Sequence, residues 1–112
     1  MIVVAALVAG ALGAVVRFVV AKASPTGFPW AVLIVNVVGS AIGGAVLALA
    51  PSGDLRLVLL TGFCGGLTTF STLSVETVQF ALEGKWRVAV GSVVANLVLG
   101  VGAAAATYVL LN

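Results

Sequence analysis

The chain has 112 residues, 62% of them hydrophobic and only 7% charged, with a formal net charge of +2 and a mean hydropathy of +1.34. A soluble domain carries about 25% charged residues, so this chain cannot cover a water-facing surface, and its solvent is lipid. Five basic side chains without aromatic interleaving give no nucleic-acid footprint, and a single cysteine, Cys64, excludes an internal disulfide and a multi-thiolate zinc site.

A membrane span needs about 20 mostly apolar residues, and four such runs fit the chain. The first covers about 2–21. Ala21-Lys22-Ala23 resembles a signal cleavage site, but no basic region precedes it and the run exceeds the 7–15 residues of a signal core, so it reads as a span. Gly10, Gly13 and Ala14 form a close-packing face, and Arg17 follows near the end. Arg17 reads either as an anchor that snorkels to the headgroups or as a cation at a vestibule. The link to the second span holds Pro25 and Pro29.

The second span covers 30–50 and opens on Trp30, an interfacial residue type. Asn36, Gly39, Ser40 and Gly43 recur at i, i+3, i+4 and i+7, on one helical face. Small residues at that spacing let helices approach closely. An asparagine inside a span needs a partner or a polar pathway for its amide groups. The next link is "PSGD", from Pro51 to Asp54.

The third span, 55–82, contains the least helix-like stretch, "GFCGGLTTFST" over 62–72. Glycine weakens a helix by roughly 1 kcal/mol relative to alanine, and hydroxyls suit lipid poorly. The composition fits a helix that breaks inside the membrane, a geometry that aims partial charges at an ion. Gly65 and Gly66 are the expected source of conformational freedom, and Thr68, Thr69, Ser71 and Thr72 supply hydroxyls. Thr69, Thr72 and Glu76 fall on one face, with Phe70 and Leu73 beside it. Glu76 is the one acid well inside a span. It reads as a functional carboxylate or as a structural anchor.

After "EGK", the fourth span covers 86–111 from Trp86. Ser92, Asn96 and Gly100 share a face, and a second intramembrane asparagine points to a shared polar path. Lys22, Lys85 and Arg87 on one side, against Arg56 on the other, would place both termini outside.

Three segments then carry a resemblance. "GALGAVVRF" (10–18), "VNVVGSAIGG" (35–44) and "GFCGGLTTFSTLSVE" (62–76) are similar, in order and at family length, to the signature segments of the Fluc, or CrcB, fluoride channels. The resemblance implies an all-α plasma-membrane protein of four transmembrane helices with a broken third helix, paired as an antiparallel, dual-topology dimer. It implies passive fluoride export rather than enzymatic catalysis. A structural sodium ion on the dimer axis would be held by backbone carbonyls, which fall here on Gly65 and Thr68. The fluoride pathway would use Asn36, Phe70, Ser71 and Thr72, joined by Glu76, Ser92 and Asn96 from the face analysis. The second pore phenylalanine of the family is replaced by Leu73. A phenyl ring has a positive edge that can face an anion, and leucine has none. Both a homodimer and a heterodimer with an unlike family subunit therefore stay open. A proton-coupled small multidrug exporter is a further reading, although that class resembles proteins with a glutamate in span one, where this chain has Arg17. A noncatalytic assembly subunit would explain the packing faces but not the clustered hydroxyls.

Overall fold

The computed structural model describes residues 1–24, 27–49 and 53–112. Pro25, Pro51 and the span end at Ala50 lie outside them. Four helical runs, Ile2–Ala23, Trp30–Leu49, Gly53–Leu82 and Trp86–Leu111, are long and apolar enough to cross a membrane. They line up in a body of 47 × 29 × 20 Å. At about 1.5 Å per residue, even the shortest run reaches roughly the 30 Å hydrocarbon thickness.

Helix α1 (Ile2–Ala23) is apolar on almost every side and buries only Ala9 and Gly13. Its C-terminus closes where Ser24 Oγ donates to the Val20 carbonyl at 2.6 Å. Helix α2 (Trp30–Leu49) is the most enclosed element, with Val35, Gly39, Gly43, Gly44 and Val46 among its buried residues. It packs most extensively against the last helix. There a Cβ on Gly44 would collide with the Ala104 carbonyl and the Thr107 hydroxyl.

The third run is not a uniform helix. A short α3 (Gly53–Arg56) leads into a π-helical coil (Leu57–Cys64), then a single turn α4 (Gly65–Leu67). Thr68 and Thr69 are extended, with φ/ψ of −79°/159° and −150°/117°. Helix α5 (Phe70–Leu82) follows. Thr69 is its N-cap: the side-chain oxygen accepts from Thr72 N–H at 3.0 Å, the bond an N-cap threonine makes to an otherwise orphaned donor.

Gly65 and Gly66 are therefore helical, and the extended residues lie just beyond them. Gly66 serves packing instead. A Cβ on Gly66 would collide with the Gly10 carbonyl, and one on Gly13 with the Phe63 carbonyl. These contacts press α1 directly against the π-helical coil and α4.

Helix α5 ends in a Schellman motif, with Lys85 N–H on the Phe80 carbonyl (2.8 Å), Gly84 N–H on the Ala81 carbonyl (3.1 Å), and Gly84 at φ +79°. Helix α6 (Trp86–Leu111) buries one stripe, Ala89, Ser92, Asn96 and Gly100. Large apolar side chains such as Leu7, Val75, Val101 and Leu110 point outward, as a lipid-facing surface requires.

Candidate functional site

The site forms where the extended pair meets α2 and α6. An unbroken helix would direct Thr69 N–H at the Gly65 carbonyl. Here that N–H donates to Asn36 Oδ1 at 2.8 Å. The same amide returns a bond, with Asn36 Nδ2 donating to the Thr69 carbonyl at 3.2 Å. Its other bond goes to Asn96 Oδ1 at 2.8 Å. One side-chain amide on α2 thus serves both backbone groups of a residue that has left the helix, where an unsatisfied group in apolar surroundings would cost about 1–3 kcal/mol. Asn96 in turn donates to the Ser92 carbonyl at 2.7 Å. Gly39 makes the approach possible, since a Cβ there would overlap the Thr68 methyl.

Backbone carbonyls around the break lose their helical donors, those of Gly65 and Thr68 among them. That of Gly65 loses Thr69 N–H to Asn36, and that of Thr68 loses Thr72 N–H to the Thr69 hydroxyl. Thr68 N–H and its hydroxyl both donate to the Cys64 carbonyl, at 2.9 and 2.8 Å. Carbonyl oxygens without donors are the ligands a hard cation takes.

Of the concavities that border the extended pair, Thr69 lines two. One, about 700 Å³, is lined by Arg17, Thr69, Thr72, Glu76 and Phe80. The other, about 410 Å³, is lined by Asn36, Ser40, Thr69, Phe70, Leu73 and Asn96. In the first, Glu76 Oε1 is inaccessible and without a hydrogen-bond partner among the described residues. In the second, Phe70 stands out from the bundle at 82% exposure.

The hydroxyls of α5 divide in the same region. Ser74 and Thr77 donate to carbonyls of their own helix, Phe70 at 2.9 Å and Leu73 at 2.7 Å. Among the described residues no hydrogen bond engages the side chains of Ser71 and Thr72, and both are exposed.

The expected pathway residues, with Arg17 at the vestibule, therefore fall into two groups. Arg17, Thr72 and Glu76 share the larger cavity, while Asn36, Phe70, Leu73 and Asn96 share the smaller. Ser92 is buried beneath Asn96, at 1% exposure, and Ser71 sits on the open side of α5. The expected amide donors of Asn36 are both engaged. Sequence reasoning named Thr69 for its hydroxyl and Ser40 on the Asn36 face, but assigned neither to the pathway. Thr69 was readable as an N-cap before an apolar helix, and Ser40 by its place one turn beyond Asn36.

The family model described as "CrcB-like protein, Camphor Resistance (CrcB)" matches residues 4–108. A Thermobifida fusca protein named fluoride-specific ion channel FluC 1 is 44% identical over 101 residues, covering 87% of this chain and 84% of that protein. A Nocardia farcinica protein of the same name is 40% identical over 112 residues, covering 95% and 78%. A fluoride-specific ion channel FluC from Methanopyrus kandleri is 40% identical over 106 residues, covering 88% and 80%.

Proposed function

The chain belongs to the CrcB family, and from that membership we propose that it is a fluoride-selective channel subunit, a multi-pass membrane protein that lets fluoride leave the cell passively. The carrying observation is the extended Thr68–Thr69 pair beside the unclaimed hydroxyls of Ser71 and Thr72. Fluoride is small and strongly hydrated, so a pore must offer donors in place of water while letting the ion leave again. The two hydroxyls and the ring edge of Phe70 are the groups free to do so. Asn36 holds the backbone that presents them. Arg17 and Glu76 stand at the larger cavity, the cation drawing anions toward it.

The extended pair is the interruption of the third transmembrane helix, and its polar groups call for a partner. Gly65, Phe70, Ser71 and Thr72 border the break and are all exposed in a single chain, and free hydroxyls and a freed carbonyl suit lipid poorly. A second subunit covers them, in an antiparallel dimer. The Gly65 and Thr68 carbonyls of both subunits would hold a sodium ion on the axis. Two carbonyls from one chain are too few to replace a cation's water, which supports the paired arrangement. When bound, the ion supplies a fixed positive charge beside the anion route.

Leu73 keeps open which partner completes the dimer. A homodimer has the leucine in both pathways, and an unlike subunit restores a phenylalanine in one. Fluoride efflux from liposomes containing only this polypeptide, with chloride as control, tests the reading. Fluoride release without chloride release is expected. Release only after an unlike family subunit is added would make the channel heteromeric. No anion release, together with proton-driven export of a cationic dye, would replace it with the exporter reading.

A further inference from the structure

Asn36 and Asn96 lie on different helices, α2 and α6, yet their amides are joined at 2.8 Å. The ends of this chain of hydrogen bonds are backbone groups with fixed roles. Thr69 N–H can only donate, so the Asn36 atom 2.8 Å away is an oxygen. The opposite end of that amide is then its NH2 group, and the Asn96 atom it meets must accept. The NH2 group of Asn96 consequently faces the Ser92 carbonyl, which can only accept, at 2.7 Å. One orientation of each amide satisfies every contact, and flipping either opposes two donors or two acceptors.

The Asn96 NH2 group is directed at Ser92: it donates to the carbonyl at 2.7 Å and lies 3.5 Å from the hydroxyl. An anion takes donors only, and this donor group is turned into its own helix. Its side chain is also buried, at 8% exposure. Resting on the channel reading, we propose that Asn96 is a positioning residue: it fixes the amide of Asn36, and through it the extended backbone of Thr69, without contacting the transported ion. Ser92 is the footing that sets the direction of the whole chain.

The Asn96→Leu variant keeps the volume and removes the amide. Two measurements on the purified protein read the consequence: fluoride efflux from liposomes as a function of fluoride concentration, and hydrogen exchange of the 68–72 segment. Loss of one partner from a buried amide is expected to speed exchange there by about tenfold. Maximal flux falls while the half-saturating fluoride concentration stays unchanged. Asn96→Ser is the milder form should the leucine variant fold poorly. Its hydroxyl bonds back to the Ser92 carbonyl but is too short to reach Asn36, so the same two changes appear at smaller size.

A raised half-saturating concentration with unaltered exchange at 68–72 would make Asn96 a direct ion contact and overturn the proposal. Unchanged flux and unchanged exchange would overturn it as well. If the wild-type protein conducts no fluoride either alone or with an unlike family subunit, the channel reading fails, and the exchange measurement still decides whether Asn96 positions Thr69.

Discussion

The third hydrophobic run departs from α-helical geometry twice, and the two departures solve different problems. Over Leu57–Cys64 the coil widens into a π-helix but keeps its hydrogen bonds internal: Gly65 N–H reaches back to the Leu60 carbonyl. That segment is held from outside by shape alone, through glycines on α1 and α4 that let backbones touch. At Thr68–Thr69 the backbone gives up helical pairing, and side chains of other helices replace it. The first departure should tolerate polarity changes and resist added volume. The second should resist loss of hydrogen-bonding groups above all.

The sharpest way to break that contrast is Asn36→Leu, which keeps the bulk and abandons both backbone groups of Thr69. Two unsatisfied groups lower fluoride flux by about 100-fold or more, read by efflux from liposomes. Flux near wild type would mean the extended pair needs no clamp. Gly66→Ala attacks the other region by volume, driving a methyl into the Gly10 backbone, whose Cα lies 2.9 Å from the added carbon. Overpacking of this kind costs about 1–3 kcal/mol, seen as a lower thermal midpoint in detergent. Phe70→Ile removes a ring edge from an exposed position while keeping an apolar side chain. A drop of about tenfold in throughput is expected, on the scale of a lost aromatic contact, with assembly unchanged by size-exclusion chromatography. Leu73→Phe should raise flux a few-fold by adding the missing edge; no response in an already conducting homodimer removes residue 73 as a limit. Ser74→Ala is the smallest case. Its hydroxyl bonds only its own helix, so stability and flux stay within about 0.5 kcal/mol of wild type.

Much of this was legible in the sequence because lipid imposes strict rules. Hydropathy alone marked four spans, and helical periodicity put Asn36 with Gly39 and Asn96 with Ser92 on packing faces. The cluster of glycines and hydroxyls drew attention to 62–72 for the right physical reason, poor helix propensity. Propensity misjudged the place, however. Gly65 and Gly66 stay helical, and at Gly66 it is α1 that requires the lack of a side chain. The extended pair falls instead on two threonines, β-branched residues at ease in that conformation, the second of which caps the helix that follows. The π-helical coil has no counterpart in the pattern of Leu57–Cys64, since its cause is packing against α1. Nor could spacing alone reveal that Asn36 meets Asn96 across 60 positions of sequence.

The central proposal is that the clamped, extended Thr68–Thr69 pair leaves the Gly65 and Thr68 carbonyls for a cation and the Ser71 and Thr72 hydroxyls for fluoride. An experimental density map of the purified protein tests it most directly. The account predicts two antiparallel chains, the Asn36 amide on the Thr69 backbone in each, and a cation between the Gly65 and Thr68 carbonyls. A continuous helix through Thr68 and Thr69, with no cation between the subunits, would contradict it.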